Sequence, residues 1–205
     1  TIYRLHEKDQ KPIKESDEIH SINPYGTNKI VIEKLLSDLY TSAPNEWHIS
    51  SLRYFNPIGA HHSGLIGEDP SGKPNNLFPL IMQIAIKRIE KLKIFGKDWP
   101  TSDGTGVRDY IHVLDLADAH ILALELLLEE KPQLLNLNLG TGKGTSVLEL
   151  ITTFERVNKI KIPYEFEGRR EGDNCTVVAD NSLAISVLDW CPKRGLDQMC
   201  IDGWK

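Results

Sequence analysis

Cysteine is scarce in this chain. Cys175, Cys191 and Cys200 are odd in number and form no Cys-x-x-Cys pair, which argues for reduced, structural thiols in a cytosolic protein. No apolar run approaches the roughly 18 residues that a membrane span needs, and the first residues have the pattern of neither a signal nor a transit peptide, so no membrane partner is expected. Positive charge is not in excess either. The formal net charge is −5, with Lys and Arg interleaved among acids, so no stripe stands ready to neutralise phosphates and no nucleic-acid partner is expected. His61, His62, His112 and His120 stand in no His-Glu-x-x-His frame and no Cys lies at ligand spacing, so no metal site is expected. A dinucleotide fingerprint and a Walker loop are both missing. The nearest stretch, Gly140-Thr141-Gly142-Lys143-Gly144, is spaced Gly-x-Gly-x-Gly and reads as a tight turn from strand to helix.

What is present is 205 residues with 40 % hydrophobic side chains, enough for one large domain or two small ones with a real core. The stretch Asn23-Pro24-Tyr25-Gly26-Thr27-Asn28-Lys29 organises the rest. Asn23 suits an N-cap and Pro24 the first helical position, so a helix is predicted to about Thr41, with Ile30, Val31, Leu35, Leu39 and Tyr40 as one buried stripe. Tyr25 and Lys29 are four apart and share a face. An ammonium beside a phenol favours the phenolate, which makes Tyr25 a candidate general acid/base, although in a chain with six Tyr the spacing alone carries little.

Helices and strands alternate, which predicts α/β layers. A polar loop over 4–22 leads into the first helix, and Trp47 to Phe55 reads as a strand. Residues 56–76 hold four Gly and three Pro and read as a long irregular loop of the kind that is usually functional. A helix is expected from Leu77 to Glu90 with Ile81, Ile84, Ala85 and Ile89 inward, then a strand from Leu92 to Phe95, a Gly/Asp loop over 96–107 and a strand from Arg108 to Val113. Asp115 is read as the cap of a helix from Leu116 to about Glu130, strongly apolar through Ile121, Leu124 and Leu128. Gln133 to Leu139 reads as a buried strand, and Ser146 with Glu149 as a capping box opening a helix to about Lys159. Strands at Ile162 to Phe166 and Thr176 to Val178 and short helices at Leu183 to Leu188 and Leu196 to Trp204 complete the chain. Arg108, Arg169 and Arg170 sit beside loops, where guanidinium forks suit a diphosphate or pair with the neighbouring acids Asp109 and Glu171.

Five stretches together resemble the UDP-glucose 4-epimerases of the extended short-chain dehydrogenase/reductase family. They are Asn23-Pro24-Tyr25-Gly26 with Lys29, residues 52–70 (LRYFNPIGAHHSGLIGEDP), Pro74-Asn75-Asn76-Leu77, residues 103–115 (DGTGVRDYIHVLD) and Arg169-Arg170-Glu171-Gly172-Asp173. The resemblance implies the C-terminal part of a Rossmann-like α/β fold with a smaller mixed α/β substrate-binding domain. Residues 1–57 would complete an NAD-binding domain and 58–205 would mainly bind UDP-sugar, with strand 133–139 returning to the main sheet. It also implies that Tyr25, held as phenolate by Lys29, takes the proton of the sugar 4-hydroxyl while NAD accepts and returns a hydride, interconverting UDP-galactose and UDP-glucose through a 4-keto sugar. Lys29 would bond the nicotinamide ribose, and Tyr54, Phe55 and Pro57 would line the cofactor. Asn56, Asn76, Leu77, Lys93, Phe95, Arg108, Tyr110, Arg170 and Asp173 would hold UDP-sugar, the two arginines on the diphosphate and Asp173 on a ribose. A cytoplasmic homodimer through the Tyr25 helix is a further implication.

The chain also departs from the family pattern. The family's catalytic Ser or Thr stands two residues before the segment that appears here as Thr1-Ile2-Tyr3-Arg4, Arg4 replaces the usual Gly, and Thr27-Asn28 replaces the commoner Lys-Ser. The Gly-rich first βα unit is absent, so the chain is expected to be a C-terminal portion, itself clipped at its end. Val177 stands where the family places either Tyr or a smaller residue that admits N-acetylated sugars. Two alternatives remain: a related nucleotide-sugar dehydratase or decarboxylase, and a non-catalytic UDP-sugar-binding remnant or a chain too incomplete to fold alone, since a parallel sheet without its first strands exposes unpaired edges.

Overall fold

A computed structural model describes residues 3, 11–21, 23–72, 74–129 and 131–205. Thr1, Ile2, Arg4 and the rest of 4–10, together with Glu130 at the expected end of a helix, lie outside the described residues. In chain order the elements are α1 (Pro24–Ser42), β1 (His48–Tyr54), β2 (Asn56–Ile58), α2 (Leu77–Ala85), β3 (Leu92–Phe95), β4 (Val107–Arg108), β5 (Tyr110–His112), α3 (Val113–Glu129), β6 (Gln133–Leu139), β7 (Thr145–Ser146), α4 (Val147–Asn158), β8 (Tyr164–Glu167), β9 (Thr176–Val177), α5 (Ser182–Leu188) and α6 (Leu196–Trp204).

Pairing is mostly parallel, as alternating strands and helices require. β1 runs beside β6 in unbroken register from His48↔Gln133 to Tyr54↔Leu139. Just past Tyr54 the same run of chain changes partner. Phe55 N–H still bonds the Leu139 carbonyl, but Asn56 N–H bonds that of Asp109, and β2 continues parallel to β5. β3 pairs with β8, and β4 lies between antiparallel β7 and parallel β9. One core gathers α2, β3, α4 and α6 around Phe78, Ile81, Ile94, Leu150 and Phe154. A second packs α3 and α5 on β6 through Ala119, Ala123, Leu137, Leu139 and Leu188.

Local sequence explains the starts better than the stops. Asn23 accepts the Gly26 N–H at 2.8 Å, and both bonds of the Ser146/Glu149 capping box are made, so α1 and α4 begin where expected. α2 stops at Ala85, five residues short of Glu90. Lys87 takes a left-handed conformation at φ 62, and the N–H groups of Arg88 and Ile89 both turn back to the Gln83 carbonyl, a closure of the Schellman kind. α3 begins at Val113, two residues before Asp115, with His112 Nδ1 accepting the Leu114 N–H at 3.0 Å. Asp115 is therefore not the cap. It is buried in the first turn, accepting the Lys193 and Arg194 N–H groups at 3.0 and 2.9 Å and the Arg194 guanidinium.

The expected buried stripe of α1 is also corrected. Val31, Leu35 and Leu39 are exposed, together with Ile32, and Gly26 is the only buried residue of the helix. In α3 Leu116, Ala119 and Ala123 face inward while Ile121, Leu124 and Leu128 face out. Both helices carry apolar side chains on two faces. Periodicity alone does not say which face meets the sheet.

Candidate active site

Ligands of open α/β sheets bind beyond the carboxyl ends of the strands, where neighbouring connections diverge. The change of partner at Phe55–Asn56 is such a place, and a cleft of about 1230 Å³ opens there. The end of β1 and the start of β2 supply Tyr54, Phe55, Asn56 and Pro57, and the first turn of α1 supplies Tyr25. Asn76 and Leu77 enter from the start of α2, Lys93 and Phe95 from β3, Arg108 and Tyr110 from β4 and β5, and Arg170 and Asp173 from the loop after β8. These segments are distant in the chain and meet only through the strand pairing.

Of the site residues that the family resemblance implies, two lie outside this lining. The Lys29 ammonium stands over the Tyr25 ring, 5.3 Å from its centroid, one helical turn behind the cleft. Val177 is buried against Tyr3, Ile13 and Phe55, so its nearest route to the cleft is through Phe55. Tyr25 itself is 70 % exposed, with its ring free to meet a ligand.

The arginines pair with neither adjacent acid. Arg108 Nη1 donates to the carbonyls of Val107 and Asn174 at 2.8 and 2.9 Å, and Nη2 stands 4.0 Å from Asp173 Oδ1. Arg169 bonds the Asp98 carboxylate at 2.9 Å and lies over the Trp99 ring at 4.0 Å. Arg170 lies over Phe95 at 3.6 Å. Lys93 is tied to Glu167 at 2.7 Å across β3 and β8, which holds its ammonium above the ordinary range. Trp99 also lines the cleft, 6 % exposed, with Nε1 donating to the Phe95 carbonyl at 3.4 Å. Sequence reasoning missed it. The signal was a lone Trp in the polar run 96–107, where a large ring needs a packing reason.

Asp109 explains the glycine turn. Its Oδ1 accepts the Thr141 N–H and hydroxyl at 2.8 and 2.6 Å, and its Oδ2 accepts the N–H groups of Gly142 and Ala179 at 3.0 and 3.2 Å. Burial pushes this carboxyl above its ordinary range despite those donors. The loop thus spends its donors on an internal carboxylate rather than on a phosphate, and it fixes β4 and β5 on either side of Asp109. Elsewhere, His61 and His62 stack on one another and His112 faces Asp202. Among the described residues no group of three or more His, Cys, Asp or Glu gathers as metal ligands do.

The model of the NAD dependent epimerase/dehydratase family matches residues 3–140. The chain is 51 % identical over 205 residues to the UDP-glucose 4-epimerase of Bacillus subtilis (strain 168), covering 100 % of this chain and 59 % of that one. It is 53 % identical over 194 residues to that of Pasteurella multocida (strain Pm70), covering 94 % and 57 %. The crystal structure of a UDP-glucose-4-epimerase from Stenotrophomonas maltophila with bound NAD and formylated UDP-arabinopyranose superposes with a TM-score of 0.93 at 47 % identity, covering 97 % of this chain and 58 % of that one. The Bifidobacterium longum enzyme in complex with NAD+ and UDP gives 0.88 at 43 %, covering 94 % and 57 %. The chain therefore spans less than two thirds of the length of these relatives.

Proposed function

This chain belongs to the NAD dependent epimerase/dehydratase family, and from that premise we propose that its cleft holds a UDP-sugar and that Tyr25 carries the proton of the sugar 4-hydroxyl in a UDP-glucose 4-epimerase. The observation that carries the reading is the meeting, in one cleft, of an exposed Tyr25 with Arg108, Arg170 and Asp173 from segments far apart in sequence. Arg108 and Arg170 would take the diphosphate in planar, charge-assisted contacts, Asp173 a ribose, and Asn56, Asn76, Leu77, Lys93, Phe95 and Tyr110 the remaining groups of UDP-glucose or UDP-galactose. Tyr25 would accept the 4-hydroxyl proton and return it, with the Lys29 ammonium standing over its ring.

The residues present suit one end of NAD. Tyr25 and Tyr54 are exposed on the same cleft wall as Phe55 and Pro57, and the exposed Lys29 stands behind Tyr25, an aromatic surface with a cation at its back, fit for a nicotinamide and its ribose. The Gly140–Gly144 turn does not suit the pyrophosphate, because Asp109 already takes its donors. Bound NAD would supply the hydride acceptor and donor of the reaction. In division of labour, residues 1–57 belong to the cofactor side and 58–205 mainly to the sugar side, with β6 beside β1. We place Val177 behind Phe55 as a residue whose modest size leaves the sugar end room for an N-acetyl group. The outward stripe Val31, Ile32, Leu35 and Leu39 of α1 suits a second copy of the chain. Free Cys175, Cys191 and Cys200 suit a reducing, cytoplasmic setting.

The test is conversion of UDP-galactose to UDP-glucose with NAD supplied, by the chain itself and by the chain grafted onto the remainder of the Bacillus subtilis relative, each beside Tyr25→Phe. Turnover that falls at least about a hundredfold in the variant is expected. A graft that folds and binds UDP but turns over equally well without the phenol would refute the role of Tyr25.

A further inference from the structure

The Tyr25 helix is held by very little apolar burial. Around α1 the positions turned inward are Gly26, Ile30, Glu33, Leu36, Ser37 and Tyr40, a helical spacing with a carboxylate at its centre. Tyr25, Lys29 and Glu33 follow one another at four-residue steps along one row. Glu33 meets Arg53 of β1 in a two-pronged contact, Nε to Oε1 at 2.9 Å and Nη2 to Oε2 at 2.6 Å. Both side chains are withdrawn from water, 8 % exposed for Arg53 and 17 % for Glu33. The third guanidinium nitrogen, Nη1, donates to the Tyr3 hydroxyl at 2.7 Å and the Glu15 carbonyl at 3.2 Å. The Tyr3 hydroxyl in turn donates to Asn138 Oδ1 of β6 at 2.5 Å.

We propose that Arg53 is the positioning residue of this site: one guanidinium next to the C-terminal end of β1 sets the roll of the helix that presents Tyr25 and ties Tyr3 and the Glu15 backbone into the same frame. A fork onto a largely buried carboxylate fixes orientation as well as distance. Losing either partner leaves a desolvated charge, so the helix must shift to let water in. The exposed Lys34–Asp38 pair on the same helix has neither property. The service to Tyr25 rests on the reading of Tyr25 as proton carrier; the anchoring does not.

The 205-residue chain, labelled with 3-fluorotyrosine and with the Tyr25 resonance assigned through Tyr25→Phe, tests this directly. In Glu33→Ala and in Arg53→Ala the Tyr25 resonance is expected to broaden or split, and α1 amides to exchange at least about tenfold faster. Amides of α4, and affinity for UDP, whose cleft neither side chain lines, should stay within about twofold. Arg53→Lys keeps the charge without the fork and should recover part of both signals, while Asp38→Asn should change neither. A Tyr25 resonance indistinguishable from wild type in Glu33→Ala, or exchange that rises evenly through α1 and α4, would overturn the inference. A wild-type chain that fails to bind UDP would instead count against the proposed function, with the resonance and exchange results still deciding the anchor.

Discussion

Gly140 and His112 show how single residues fix the frame around the cleft. A Cβ added at Gly140 would stand 2.5 Å from Asp109 Oδ2 and 2.7 Å from the Ala179 Cβ. Gly140→Ala must therefore displace the carboxylate that holds β4 and β5, and chemical denaturation should show a loss of about 1–3 kcal/mol. His112 is fully buried, its Nε2 3.4 Å from Asp202 Oδ2. Burial, helped by Arg194, holds the imidazole below its ordinary range against the pull of Asp115 and Asp202. The unfolded chain takes a proton here near pH 6.5 that the folded chain refuses. This part of the stability is thus present above about pH 6.5 and is lost as pH falls toward the folded-state value. Urea titrations at pH 7.5 and 5.5 should show that loss in wild type and a flatter response in His112→Asn, whose side-chain oxygen can still cap Leu114.

At this scale the sequence was legible where a residue type has a steric or ionic reason to be where it is. Asn23, Pro24 and the Ser146/Glu149 box follow from capping chemistry alone. Asp115 did not, because a first-turn Asp reads as a cap unless the distant Arg194 is seen to claim it. The partners of Arg108 and Arg169 were equally hidden, since Asn174 and Asp98 reach them only through the fold.

Among the elements, α1 carries two apolar stripes and one anchoring carboxylate. Val31, Ile32, Leu35 and Leu39 face outward, so covering them with a second copy is expected to add stability without touching the cleft. Leu35→Glu should shift the chain from dimer to monomer in sedimentation equilibrium while leaving its secondary structure intact. A wild-type chain that is monomeric at all concentrations would refute the proposed homodimer. Periodicity located α1 and α3 well, because their apolar spacing is helical throughout. It failed on orientation, since both faces of each helix offer apolar side chains. It also overran α2, because the left-handed Lys87 that ends that helix is not a residue type that announces such a turn.

For the molecule as a whole, the decisive feature is the point where the run from β1 to β2 changes partner from β6 to β5. No local pattern predicts it, since it depends on which strands meet. It brings Tyr25 of α1 to the same opening as Arg108, Phe95 and Arg170. The family resemblance indicated which residues belong together, while composition, charge and spacing indicated only what to exclude. No helix among the described residues is long and apolar enough to cross a membrane.

The central claim is that this opening is a UDP-sugar site, and calorimetric titration of the 205-residue chain with UDP tests it most directly. The predicted result is saturable binding of one UDP per chain, weakened about tenfold or more by Arg108→Ala and unchanged by Tyr25→Phe, which stands where the sugar rather than the nucleotide would lie. A folded chain that binds no UDP, or binds it equally well without the Arg108 side chain, would contradict the claim.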